Sequence, residues 1–137
     1  MVYQVEFSLP RFKRGFHLIT DLVKEQLPEL PETGILFIFI RHTSAGICIN
    51  ENSAKEVLED FEIFFNKLVP EGEYLYRHYE EGKDDMPGHI KSVLSGNSIQ
   101  IPISHGELNL GTWQGIYLCE FRNNGGSRKL VATIMGA

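Results

Sequence analysis

The chain has 137 residues, 42% of them hydrophobic, two cysteines and a formal net charge of −5, which suits a single domain with its own core and no need of disulfide staples. The acidic balance argues against a nucleic-acid partner, since only Arg11, Lys13 and Arg14 make a local basic cluster, one that could meet a small anion. No apolar stretch approaches the roughly 20 residues needed to cross a bilayer, no basic-then-apolar leader opens the chain, and Cys48 and Cys119 sit far apart in apolar runs; the expectation is a reduced, cytoplasmic protein with no membrane partner.

Tyr3 to Leu9 alternates with period two, and Pro10 to Gly15 supplies a turn before Phe16 to Ile19, which predicts an opening hairpin. Thr20 can cap a helix to about Leu27, with Leu22, Val23 and Leu27 on one stripe, stopped by Pro28 to Pro31. Ile35 to Ile40 is a continuous apolar run of β-branched and aromatic residues, read as a strand covered on both faces that delivers Arg41-His42-Thr43 at its polar end.

Ser53-Ala54-Lys55-Glu56 has the form of a capping box, and Val57, Leu58, Phe61, Phe64, Phe65 and Leu68 follow at helical spacing before Pro70 and Gly72. A shorter helix is predicted with Asp85 as N-cap and Pro87 in its first turn, presenting Ile90, Val93 and Leu94 inward and closing at Gly96. Strands follow at Ser98 to Ile103, Leu108 to Leu110, Trp113 to Phe121 and Ser127 to Met135, with Asn123-Asn124-Gly125-Gly126 as a hairpin turn. No repeat or linker divides the chain, so residues 1–137 form one domain. The predicted class is α+β: a two-layer sandwich of two to three helices on a mainly antiparallel or mixed sheet.

Three histidines carry the functional argument. His42 stands at a strand end beside the hydroxyls of Thr43 and Ser44, and His89 falls in a helix first turn, whose free N–H groups attract anions. His78 lies in the aromatic, charged segment Tyr74 to Tyr79, where a solvated edge-strand position is the plainer alternative. Imidazole both ligates transition metals and titrates near neutrality, so convergence of the three points to metal binding or proton transfer. His17 and His105 read as packing and surface residues.

Among the carboxylates, Glu51 can serve the positive end of the following helix as well as it can serve chemistry, and Asp60 reads as solvated. Glu120, counted by two from Ile116 and Leu118, falls on an apolar strand face, where burial demands a cation such as Arg128 or Arg122. A four-residue turn would set Glu120 opposite Lys129, so pairing with Arg128 requires a bulge. In Gly111-Thr112-Trp113-Gln114-Gly115 the plain reading is a core tryptophan between turn glycines; the functional one has Thr112, Gln114 and backbone N–H groups holding phosphate or heterocycle edges. The glycine spacings of the Walker and dinucleotide-binding loops are absent, so neither ATP nor NAD is implied.

His42-Thr43-Ser44-Ala45, Asn50-Glu51-Asn52, Asp85-Met86-Pro87-Gly88-His89 and Gly106-Glu107-Leu108-Asn109-Leu110-Gly111-Thr112-Trp113-Gln114 together resemble, over nearly the whole chain, the YjbQ family, also called the secondary thiamine-phosphate synthase family. The resemblance implies an α/β domain assembled as a homotrimer, with a metal or anion site near the histidines. It also implies a transferase that joins hydroxymethylpyrimidine diphosphate to thiazole phosphate and releases pyrophosphate. The expected substrates are thus small phosphorylated heterocycles. On this reading His42, His89 and Glu120 are catalytic, His42, His78 and His89 hold a divalent metal, zinc or magnesium, and Thr43, Ser44, Thr112, Gln114 and Arg128 bind substrate. Two other functions suit the same residues: a zinc hydrolase with a three-histidine site, and a non-catalytic trimer whose pocket binds a metabolite.

Overall fold

The computed structural model describes residues 1–137, the side chain of Glu73 excepted. Its elements, in chain order, are β1 (Val2–Ser8), β2 (Gly15–Leu18), α1 (Thr20–Lys24), β3 (Thr33–Ile40), β4 (Ala45–Glu51), α2 (Lys55–Leu68), a 3-10 turn at Glu73–Leu75, α3 (Asp85–Ser95), β5 (Ser98–Ser104), β6 (Glu107–Leu108), β7 (Gln114–Glu120) and β8 (Lys129–Gly136). The strands form two sheets, one ordered β1-β8-β3-β5-β6 and the other β2-β7-β4, with every pairing antiparallel. The fold is α+β, as predicted, but its core lies between sheets. Leu36, Ile38 and Ile40 of β3, Ile101 and Ile103 of β5 and Leu130, Ala132 and Ile134 of β8 meet Ala45 and Ile47 of β4 and Ile116 and Leu118 of β7. α1 adds Val23 to this core, whereas α2 and α3 pack on the other face of the smaller sheet. Phe16 of β2 meets Phe61 and Phe65 of α2, both at 5.6 Å between ring centroids, and a side chain at Gly46 of β4 would collide with Ser95 of α3. No helix among the described residues is long and apolar enough to cross a membrane.

Two expected hairpins do not form. β1 pairs with β8 while β2 pairs with β7, so the segment after Pro10 carries the chain from one sheet to the other. Likewise Asn123 to Gly126 connects β7 of the smaller sheet to β8 of the larger instead of folding them together. The reason lies in the two residues that flank this crossing: Glu120 is fully buried and Arg128 is 4% exposed. Arg128 Nε donates to Glu120 Oε1 at 2.7 Å and Nη2 to Oε2 at 2.5 Å, a forked pair that ties the two sides of the crossing together. Gly125 passes so close over this carboxylate that a Cβ there would collide with it.

Other expectations change for equally local reasons. β3 buries one face only, leaving Ile35 and Phe39 41% and 46% exposed on the other. β4, which had no predicted counterpart, is the edge strand of the smaller sheet. Ala54 occupies the N-cap of α2 without a side-chain bond, and the Ser53 hydroxyl donates to Glu51 instead, so the capping box does not form. α3 leaves Ile90 half-buried but turns outward the other two residues expected inside: Val93 is 83% and Leu94 53% exposed, while Lys91 and Ser92 are buried. Ser92 donates to the Ala45 carbonyl and Lys91 to Asn66 Oδ1, so these polar side chains have partners inside that an apolar side chain could not use. The cysteines, distant in sequence, are free thiols on neighbouring strands with their sulfurs 3.5 Å apart.

Truncating one member of a buried ion pair strands the other charge. Arg128→Leu should therefore lower unfolding stability by about 3–5 kcal/mol in urea titration, whereas the Glu120→Leu/Arg128→Leu double variant should lose less than either single one. A double-variant loss equal to the sum of the singles would show that the pair is not coupled.

Candidate metal centre

Asp85 and His89 are one helical turn apart on α3, which places both side chains on the same face. His89 Nδ1–H donates to the Thr43 carbonyl at 2.8 Å. That bond makes Nδ1 the donor and turns Nε2 towards Asp85 Oδ2 at 3.2 Å, the arrangement by which proteins orient metal-binding imidazoles. His78 arrives from the segment preceding α3. Its Nε2 lies 2.8 Å from Asp85 Oδ2 and 2.9 Å from Glu81 Oε2.

One ligand atom from each of His78, Glu81, Asp85 and His89 lies within 4.8 Å of the other three. Four donors around zinc at about 2.0–2.2 Å stand roughly 3.4 Å apart, so a small contraction would close this set on an ion. Two imidazoles with two carboxylates suit zinc or another borderline transition ion better than magnesium, which prefers oxygen and retained water.

The electrostatics agree with a cation site. The Glu81 carboxylate, and after it Asp85, hold the His78 imidazole above its ordinary pKa. Burial would push the Asp85 carboxyl up, but hydrogen bonding from Glu81 and the charges of His89 and Arg122 outweigh it and hold the group below the usual range. Asp84 is also held low: burial acts against ionisation and is outweighed by the Asn123 backbone N–H and the Arg122 guanidinium.

His42 is not part of this donor set. Its Nε2 accepts the Lys129 backbone N–H at 2.8 Å, and burial, then the Arg128 charge, lower its pKa. The expected trio of His42, His78 and His89 is thus corrected: Glu81 and Asp85 complete the cluster. His42 and His89 do share an open cleft of about 450 Å³, lined also by Thr43, Ser92, Val93, Gly96 and Asn97. His89 therefore borders both the cluster and the cleft.

The remaining predicted site residues lie elsewhere. Glu120 and Arg128 bond to each other, and Arg128 Nη2 also donates to the Ser44 carbonyl and hydroxyl at 3.2 and 3.1 Å. Arg128 thus commits Nε and Nη2 to Glu120 and Ser44 beneath the surface, and Ser44 supports Arg128. Thr112 and Gln114 stand at the other end of β7 from Glu120, about 20 Å away at strand rise. Gln114 Oε1 accepts the Gly111 N–H at 2.7 Å, and Asn52 Nδ2 donates to the carbonyls of Thr112 and Gln114, so this loop is braced internally and apart from the cluster. Trp113 is 63% exposed and fills no core position. His17 stacks on Phe12 and His105 pairs with Glu32 at the surface, the plain roles predicted for them. Glu81 and Asp85 were missed as ligands, although the Asp85-to-His89 spacing of four was a legible signal for a shared helix face.

Fold and cluster together define a two-sheet α+β protein with a candidate divalent-metal centre at the start of α3. Residues 5–137 match the family described as UPF0047 protein YjbQ-like, and the chain belongs to that family. It is 49% identical to the UPF0047 protein YjbQ of Salmonella typhimurium and 45% identical to that of Escherichia coli O157:H7, each match covering 99% of both chains. Among solved structures, a YjbQ/UPF0047-family protein from Clostridium acetobutylicum superposes with a TM-score of 0.80 at 38% identity, covering 96% of this chain and 99% of that one. A conserved hypothetical protein from Thermus thermophilus gives 0.80 at 30% identity, covering 93% and 97%.

Because the His42 imidazole accepts the Lys129 N–H, protonation must break that bond. Its folded pKa lies below the unfolded value of about 6.5, so its contribution to stability is complete above that pH and is lost as pH falls towards the folded pKa. His42→Gln, which keeps a non-titrating acceptor, should show a smaller loss of denaturation midpoint between about pH 7 and pH 5 than the parent. Parallel pH profiles would refute the assignment.

Proposed function

We propose that the chain is a divalent-metal-dependent transferase of the thiamine-phosphate synthase type, with the metal at His78, Glu81, Asp85 and His89. The observation that supports this most is the His89 ring held by the Thr43 carbonyl, whose Nε2 converges with three other donors at the edge of an open cleft. In the reaction, the methylene carbon–oxygen bond of hydroxymethylpyrimidine diphosphate breaks, its electron pair departing with pyrophosphate. The lone pair of the thiazole ring nitrogen forms the new carbon–nitrogen bond. No proton has to be removed from the nucleophile, so the chemistry asks for placement and charge compensation, and a general base is unnecessary.

A bound divalent ion would supply positive charge for the leaving diphosphate. The chain's own residues would do the rest: His42, Thr43 and Asn97 line the space for a ring, Val93 gives it an apolar wall, and the Thr43 carbonyl keeps His89 aimed at the cluster. The neutral tendency of His42 suits a neighbour that bonds to a heterocycle edge. A second reading, a zinc hydrolase, draws on the same cluster, because two histidines and a carboxylate also serve metal-activated water.

The outer face of the larger sheet exposes Val2, Ile35, Phe39 and Met135, contiguous through the β1-β8-β3 register. We infer that copies associate through this face into the trimer implied by the family resemblance. Phe39→Glu should then shift the mass measured by light scattering towards the monomer, and an unchanged mass would remove this face from the interface.

For the activity, purified protein should carry or take up close to one zinc or manganese per chain by elemental analysis. His89→Ala and Asp85→Asn should lose it together with at least 10²-fold of pyrophosphate release in the presence of both heterocycles. Pyrophosphate release that needs no thiazole acceptor would favour the hydrolase. Full turnover in folded, metal-depleted variants would overturn both readings.

A further inference from the structure

Arg122 approaches the cluster from the loop after β7 and spends all three guanidinium nitrogens on the segment that supplies the ligands. Nη1 donates to Asp85 Oδ1 at 2.5 Å, Nε to Asp84 Oδ2 at 3.1 Å and Nη2 to the Glu81 carbonyl at 3.0 Å. Its stem crosses the first turn of α3, where a side chain at Gly88 would meet Arg122 Cδ at 3.4 Å. Its backbone N–H is tied down by Glu120 Oε2 at 3.2 Å. Among the described residues, no other Arg or Lys pairs with Glu81, Asp84 or Asp85.

We infer that Arg122 is a positioning residue that makes Asp85 a one-oxygen ligand and thereby sets which cation the centre selects. A free carboxylate can offer both oxygens, as large oxygen-seeking cations prefer. Here the guanidinium occupies Oδ1, and only Oδ2 faces His78 and His89. Glu81 is steered through its own carbonyl, so Arg122 orders two of the four donors with one side chain. The result is a compact set of single-atom donors suited to a small four-coordinate ion such as zinc.

A cation beside a metal ligand would ordinarily repel the metal. Asp84 answers this: its Oδ2 accepts from both Arg122 Nε and the Asn123 N–H, so it acts as counter-ion to the guanidinium and stands outside the donor set. The two adjacent aspartates thus divide the work, Asp85 facing the ion and Asp84 neutralising the residue that holds Asp85.

This inference rests on the metal-centre reading, and the test separates the two. Zinc, manganese and calcium affinities of the intact protein are measured by competition with a chromophoric chelator, for the parent, Arg122→Gln and Arg122→Lys, with circular dichroism confirming the fold. The expected result is zinc affinity weakened about 10–100-fold in Arg122→Gln, a narrower zinc-over-calcium preference, and incomplete recovery in Arg122→Lys, whose single ammonium cannot serve three acceptors at these positions. A parent that binds no metal overturns the centre itself. A parent that binds zinc while the folded variants bind it equally, with unchanged selectivity and only a lower melting temperature, overturns the role of Arg122 alone. Should Arg122→Gln fail to fold, Arg122→Lys carries the same comparison with the same criteria.

Discussion

The buried pair of Glu120 and Arg128 holds the two layers of this fold at the point where the functional geometry starts. Removing two charges from water costs several kcal/mol per ion, and attraction offsets that cost only with close geometry and further donors. Both are present: a forked contact, a backbone N–H from Arg122 on the carboxylate, and the Ser44 carbonyl and hydroxyl on the guanidinium. Each partner also reaches the site. Arg128 fixes Ser44, beside the Thr43 carbonyl that orients His89; Glu120 fixes the Arg122 backbone, whose side chain orients Asp85. Two residues predicted to touch substrate thus act beneath the site, supporting its two helix-borne donors from opposite sides.

The same economy of position explains α3. A helix with Val93 and Leu94 outward and Lys91 inward contradicts its apolar pattern, and the contradiction is resolved by what lies beneath it. Asn66 of α2 accepts from both Lys91 and Arg14, and burial, then the Arg14 charge, lower the lysine pKa. Gly46 lets the end of α3 approach β4, where Ser92 reaches the Ala45 carbonyl. With those contacts in place, rotating α3 to bury Val93 would move Asp85 and His89 away from His78 and Thr43. The orientation that serves the cluster is stabilised by polar contacts instead of apolar burial.

Much of this was legible locally. Period-two alternation located β1, the apolar run located β3, and helical spacing located α2, because those patterns record burial along one element. Membership of a sheet is different: it depends on where the strand ends point in three dimensions, so Pro10 to Gly15 and Asn123 to Gly126 read as hairpin turns while serving as crossings between layers. β4 went unseen because Ala45, Gly46 and Cys48 are small residues chosen for the approach of α3 and of the neighbouring strand, and they carry little β signal. In the site, His78 and His89 were legible as residue types. Exchanging His42 for Glu81 and Asp85 required knowing that Lys129 claims the His42 nitrogen, a contact across 87 positions of sequence.

On the proposed metal-centre reading, the charge at the start of α3 is what the cation meets. Glu81, Asp84 and Asp85 face a single fixed cation, Arg122, which leaves two negative charges uncompensated while both imidazoles are neutral. A raised His78 pKa answers part of that deficit by placing a proton between two carboxylates. A divalent cation would answer all of it, releasing that proton as it binds. Asp84 and Asp85 are buried and share the one guanidinium, and a helix N-terminus offsets only a fraction of a charge. On the proposed metal-centre reading, the site becomes neutral once a dication is held by Oδ2 of Asp85 and its three neighbours, and Arg122, Thr43 and the buried pair beneath them orient these side chains for it.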